Sequence, residues 1–117
     1  MTAHYFDTKD KTWLPIPGRV TRVRFSAARP APFPALTRPE HALIVHRRIT
    51  ITRLPGREWI VAHQRTSARI AARDTRAAAM REAMSVLWTQ GEASFLTAVA
   101  RSQALAGPYP TDQEATP

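Results

Sequence analysis

The 117-residue chain contains no cysteine, so it can build neither a disulfide framework nor a thiolate metal site. Lysine is nearly missing as well, with two lysines beside fifteen arginines. Glycine is scarce, and none of the four falls in a G-x-x-x-x-G-K or G-x-G-x-x-G phosphate loop. Apolar runs such as 42–45 and 59–62 are far too short to span a bilayer. The N-terminal MTAHYFDTKDK lacks the basic region and apolar stretch of a secretory signal. The expected compartment is therefore the cytoplasm, with no membrane partner.

Acidic residues are lacking where the chain is most basic. Residues 19–81 carry fourteen arginines against Glu40, Glu58 and Asp74, a local charge of +11 in a chain whose total is +8. Residues 1–18 balance to zero and 82–117 sum to −3. A genome rich in G and C favours arginine, alanine and proline together, and twenty alanines fit that bias. Such a bias replaces lysine by arginine, but it does not remove acids. A basic body with a mildly acidic tail is the pattern of a polyanion binder.

The length allows one domain, which can bury a core without staples. Prolines crowd the first 39 residues, so 1–40 reads as a basic, extended arm with a short strand at 19–26, where Val23 and Phe25 alternate with Arg22 and Arg24. Residues 29–39 hold four prolines and cannot donate a regular hydrogen-bond ladder. The folded unit is expected over 41–107. In 43–54, Val45, Ile49 and Ile51 share one parity, while His46, Arg48, Thr50 and Thr52 share the other. Leu54, Pro55, Gly56 and Arg57 suit a type II turn, with 58–64 as the return strand. A third strand at 68–72 places Ile70 and Ala72 inward and Arg69 outward. Asp74 or Thr75 then caps a helix whose apolar stripe is Ala77, Met80, Met84, Leu87 and Trp88. Gly91 stops it, a second helix at 92–105 offers Phe95, Leu96 and Val99, and 108–117 reads as a disordered tail. The expected fold is α+β: a small three-stranded antiparallel sheet followed by two helices, with one sheet face left open.

Little in the sequence speaks for catalysis. His4, His41, His46 and His63 show no helical metal-ligand spacing, and the nine carboxylates are scattered with no base beside a pair. No enzyme activity, cofactor or metal is implied. The arginines of the open sheet face are the constellation left, because guanidinium groups hold phosphates in bidentate fashion and release condensed counterions. The expected nucleic-acid contacts are Arg22, Arg24, Arg48, Thr50, Thr52, Arg69 and Arg73. Trp59 has a face for base stacking, although a strand tryptophan opposite a helix more often belongs to the core.

The run REWIVAHQRTSARIA at 57–71, followed by DTRAAAMREA at 74–83, resembles two small folds. One is the arm-type N-terminal domain of tyrosine integrases, in which a three-stranded sheet packed on a helix binds DNA. The other is the HicB-type antitoxin, whose third strand leads into a D-T-x-x-x-A-x-x-x-A helix; its acidic helix has no counterpart here. The first resemblance implies a nucleic-acid partner, chiefly DNA, met by the sheet face. The second implies an inhibitor, antitoxin or assembly component whose basic face and arm dock on an acidic protein. Homodimerisation is compatible with either.

Overall fold

A computed structural model describes residues 2–110. The elements in chain order are β1 (His4–Asp7), β2 (Thr12–Pro15), β3 (Thr21–Arg22), β4 (Leu43–Ile49), β5 (Pro55–His63), β6 (Arg69–Arg73) and α1 (Arg76–Ala106). β1 and β2 pair as a separate hairpin, and β3, β4, β5 and β6 form a four-stranded antiparallel sheet in that order. The expected three-stranded sheet, two helices and extended arm are corrected on every count: there are two sheets, the larger has a fourth strand at its edge, and one long helix follows. The tail expected to be disordered falls outside the described residues from 111 onward, but within it Tyr109 is buried.

The helix begins where the sequence supplies a cap: Thr75 Oγ1 accepts a hydrogen bond from the Ala78 N–H at 3.1 Å. The expected stripe is only partly the buried one. Ala77 is exposed and Trp88 is 57% exposed, whereas Ala79 and Ala83 are fully buried beside Met80 and Leu87. Reading periodicity from the largest side chains missed this, because small residues one turn apart are what bring the helix backbone close to the sheet. Gly91 breaks the helical path with φ 82° and ψ −179°, a conformation open essentially to glycine alone. α1 is thus one element with a kink. Beyond it, Phe95 turns inward onto Phe33, at a ring separation of 5.3 Å.

Phe33, Ala35 and Leu36 are core residues, packed in one cluster with Val23, Leu43, Val45, Val61, Ala71 and the helix. The Pro-rich stretch is therefore a wall of the core, built of two short 3-10 turns, Pro34–Thr37 and Pro39–His41, each started by proline. β3 joins the sheet through Thr21 and Arg22, opposite Val45 and Ile44, and the Val23 N–H extends the pairing to the Leu43 carbonyl.

The turn after β4 is also corrected. Thr50 to Leu54 make it, with the Arg53 N–H donating to Thr50 O at 2.8 Å and Arg53 itself at φ 64°. Pro55 and Gly56 already lie in β5, across from a bulge between Arg47 and Ile49. Gly56 is required by space: a Cβ there would stand 3.0 Å from the Arg48 carbonyl oxygen. Ile51, expected inward, is fully exposed at the turn.

The sheet face turned away from α1 is partly covered. Ile44, His46, Ile60 and Ala62 are buried there, outside the main core cluster. The β1–β2 hairpin lies over them, held by the Phe6 N–H to Ser67 Oγ (3.2 Å), Asp10 to Arg53 (2.6 Å) and the Trp13 Nε1–H to the Ala106 carbonyl (3.0 Å). Trp13 meets Phe6 and Tyr109 edge-on, and the Tyr109 hydroxyl accepts from the His4 N–H at 2.9 Å. Hairpin and helix end are thereby tied together around one indole.

Two outcomes are expected from this packing. Trp13→Ala removes the indole that joins hairpin, Tyr109 and helix end, and should cost about 2–4 kcal/mol in chemical denaturation; a surface-like effect would show that the hairpin does not brace the fold. Ala83→Leu forces a branched side chain between helix and sheet and should cost at least ~1–3 kcal/mol.

Candidate nucleic-acid interface

β5 carries Trp59 on the helix side of the sheet, opposite Arg47 of β4 and Arg73 of β6. Directly paired residues share a face, so the half-buried indole lies between two arginines in a row across three strands. The Arg47 guanidinium stands over the ring, 5.0 Å from its centre, and reaches the Gly56 carbonyl at 3.4 Å. Arg73 is bonded to Glu82 of the helix, so its charge is matched.

Two depressions open beside this row. One, of about 360 Å³, is lined by Arg19, Thr21, Trp59 and Arg76. The other, of about 610 Å³, is lined by Arg29, Arg76, Ala77, Met80, Arg81 and Met84. They share Arg76 as a lining residue, so the two depressions adjoin between the β3 edge and the first turns of α1 and together are called the groove. No carboxylate lines either part. Among the described residues none of Arg19, Arg29, Arg47, Arg76 and Arg81 pairs with an acid. The first turn of α1 holds no acidic residue, so the positive end of the helix dipole adds to the same potential.

The residues picked from the sequence are dispersed by the fold. Arg22 lies opposite Ile44 and shares the face turned away from the helix, and Arg24 is exposed beyond the end of β3. Arg48 and Arg69 line a cleft under the β1–β2 hairpin, with Arg48 bonded to Glu58 at 3.0 Å. Thr50 and Thr52 sit in the β4–β5 turn and bond each other, Oγ1 to Oγ1, at 2.9 Å. Arg73 alone of the set borders the groove. Arg19, Arg29, Arg47, Arg76 and Arg81 were missed because they come from four separate stretches of chain; the shared signal was the lack of acids around them.

A second polar cluster is structural in character. His41 Nδ1 and His63 Nε2 are 3.0 Å apart, and His63 Nδ1 is 2.8 Å from Thr66 Oγ1. Phe95 closes over both rings, and His63 is 1% exposed. No substrate reaches such a ring. Among the described residues no group of three or more histidines and carboxylates is placed to hold a metal, and no helix is long and apolar enough to cross a membrane. Set against protein-family models, curated proteins and solved structures, the chain finds no match.

Burial, reinforced by His41, pushes the His63 imidazole down to about 4 from its ordinary 6.5. A depressed folded-state pKa means that the unfolded chain binds the extra proton first as pH falls. The contribution is complete above pH 6.5 and is lost as pH drops towards 4, by roughly 3 kcal/mol. Denaturation curves across that window check the loss, and ring NMR should put the His63 midpoint near 4. A midpoint at the ordinary value would show an open ring.

Proposed function

We propose that the protein binds single-stranded nucleic acid along the groove between the β3 edge and the start of α1. The observation that carries this reading is the pair of adjoining depressions lined by Arg19, Arg29, Arg76 and Arg81, with no carboxylate among their lining residues and with the half-buried Trp59 in one of them. A concave basic track beside an aromatic ring suits a flexible strand, whose phosphates follow the arginines while a base meets the indole. Duplex grooves are instead entered by a protruding helix or ribbon. Phosphates along the strand would replace water around guanidinium groups that no acid among the described residues pairs with.

A protein partner is the second reading, favoured by Trp88 and Leu105, which are 57% and 73% exposed on α1. An arm-mediated form of it has less support, because the arm aromatics Trp13 and Phe33 are spent within the fold.

The test is fluorescence anisotropy with labelled single-stranded and duplex oligonucleotides over a salt series. About five phosphate contacts give a log K against log salt slope of roughly −3.5 for a single strand. Arg76→Ala with Arg81→Ala should flatten it by about 1.4 units, whereas Arg22→Ala with Arg24→Ala should change it less. Failure of any strand to bind better than about micromolar at low salt, or an unchanged slope in the double variant, rejects the groove as the interface.

A further inference from the structure

The cleft under the β1–β2 hairpin has the parts of a second, smaller site on the opposite face of the sheet from the groove. It encloses about 330 Å³ between Tyr5, Phe6, Asp7 and Thr8 on one side and His46, Arg48, Ile60, Ala62, Ser67 and Arg69 on the other. Its floor holds a buried imidazole with one free nitrogen. His46 is 5% exposed, and its Nδ1 is 2.8 Å from the Arg47 carbonyl oxygen, which can only accept; Nδ1 therefore carries the proton. Nε2 makes no hydrogen bond within the described chain.

Two arginines line the same cleft as His46. Arg69 has no carboxylate partner among the described residues, and Arg48 shares the partly exposed Glu58 at 3.0 Å. The other charged or titratable groups facing His46 are Tyr5 and Asp7 of β1. Asp7 Oδ1 is already accepting from the backbone N–H groups of Lys9 and Asp10, and Ser67 Oγ from that of Phe6. Polar capacity left over around the cleft includes Nε2, the Arg69 guanidinium, the part of Arg48 not used by Glu58, the Tyr5 and Thr8 hydroxyls and the second oxygen of Asp7. A tetrahedral oxyanion that carries or receives one proton can bond Nε2 and both guanidinium groups and accept from the two hydroxyls, with the two arginines outweighing the single opposing charge of Asp7. Carboxylate ligands would satisfy the arginines but leave no acid proton for Nε2 near neutral pH.

We propose that this cleft binds a terminal phosphate, held by Arg69 and Arg48 with His46 Nε2 as its hydrogen-bond partner. The proton between Nε2 and the phosphate oxygen comes from either group, so one proton is shared by the pair. Burial, and then the charge of Arg69, now lower the His46 pKa. A dianion beside Nε2 opposes both effects, so binding raises it, and by linkage the phosphate binds more tightly as the imidazole gains its proton.

Histidine ring resonances followed by NMR from acid to neutral pH, in inorganic phosphate and in chloride at equal ionic strength, test this. The His46 midpoint should rise in phosphate by about one unit or more, while that of His63 stays put. Arg69→Ala should abolish the rise, and Arg76→Ala, in the groove, should leave it intact. A sugar monophosphate and a 5′-phosphorylated dinucleotide, each compared with its unphosphorylated form, then separate a small ligand from a strand end, and a shift by either upholds the site. An identical His46 midpoint in phosphate and chloride overturns the proposal, as does a rise that survives in Arg69→Ala. Oligonucleotide binding in the groove is read separately by anisotropy, so the two sites fail independently.

Discussion

Strand β5 is buried on both of its faces, and the other elements are arranged around what it must hide. Val61 and His63 point to the helix side while Ile60 and Ala62 point away, and all four are at most 5% exposed. A strand inside a four-stranded sheet has its backbone groups paired on both edges, but its side chains need two covers. α1 supplies one, brought close by Ala79 and Ala83. The β1–β2 hairpin supplies the other. Each buried apolar side chain of this size is worth about 1.5–3 kcal/mol, so a sheet stripped of its second cover would lose a sizeable part of a small domain's stability. That need is why the first 18 residues fold back.

What was legible in the sequence were the local signals: the Thr75 cap, the break at Gly91, and the pairing of the strands around 43–63. These depend on neighbours in sequence. The covering hairpin was not legible, because His4, Phe6 and Trp13 are joined to Tyr109, Ser67 and Ala106 across 61 to 105 positions of chain, a separation no periodicity reports. The run IVAHQ at 60–64 did hold a hint. A continuous buried stretch marks a strand covered on both sides, whereas 43–54 was read as alternating. Alternation in 49–52 instead belonged to a turn, where Thr50 and Thr52 bond each other and leave Ile51 in solvent.

The site was legible as a charge imbalance and illegible as a place. Sheet parity gave the face of Arg48 and Arg69, but the same hairpin that covers Ile60 converts that open face into a narrow cleft. Trp59 was weighed as either core or stacking residue; it packs against the core cluster and also lines the groove. No spacing rule could join Arg19, Arg29, Arg47 and Arg76, since the Pro-rich wall and the start of the helix are what set them side by side.

The acids explain how charge is divided between the two faces. Glu58 and Asp10 take up Arg48 and Arg53 near the hairpin, and Glu82 takes up Arg73 at the border of the groove. These exposed pairs add at most about 1 kcal/mol each, so stability is a weak reason for their placement. Their stronger effect is on potential. They lower it around the hairpin, whose docking would suffer from like charges, and none of them pairs with Arg19, Arg29, Arg76 or Arg81. The N-terminal end of the α1 dipole adds positive potential on the same side. On the other face Arg69 has no acid partner among the described residues and lines the same cleft as His46. The proposed phosphate would supply the negative charge that the described residues do not pair with it.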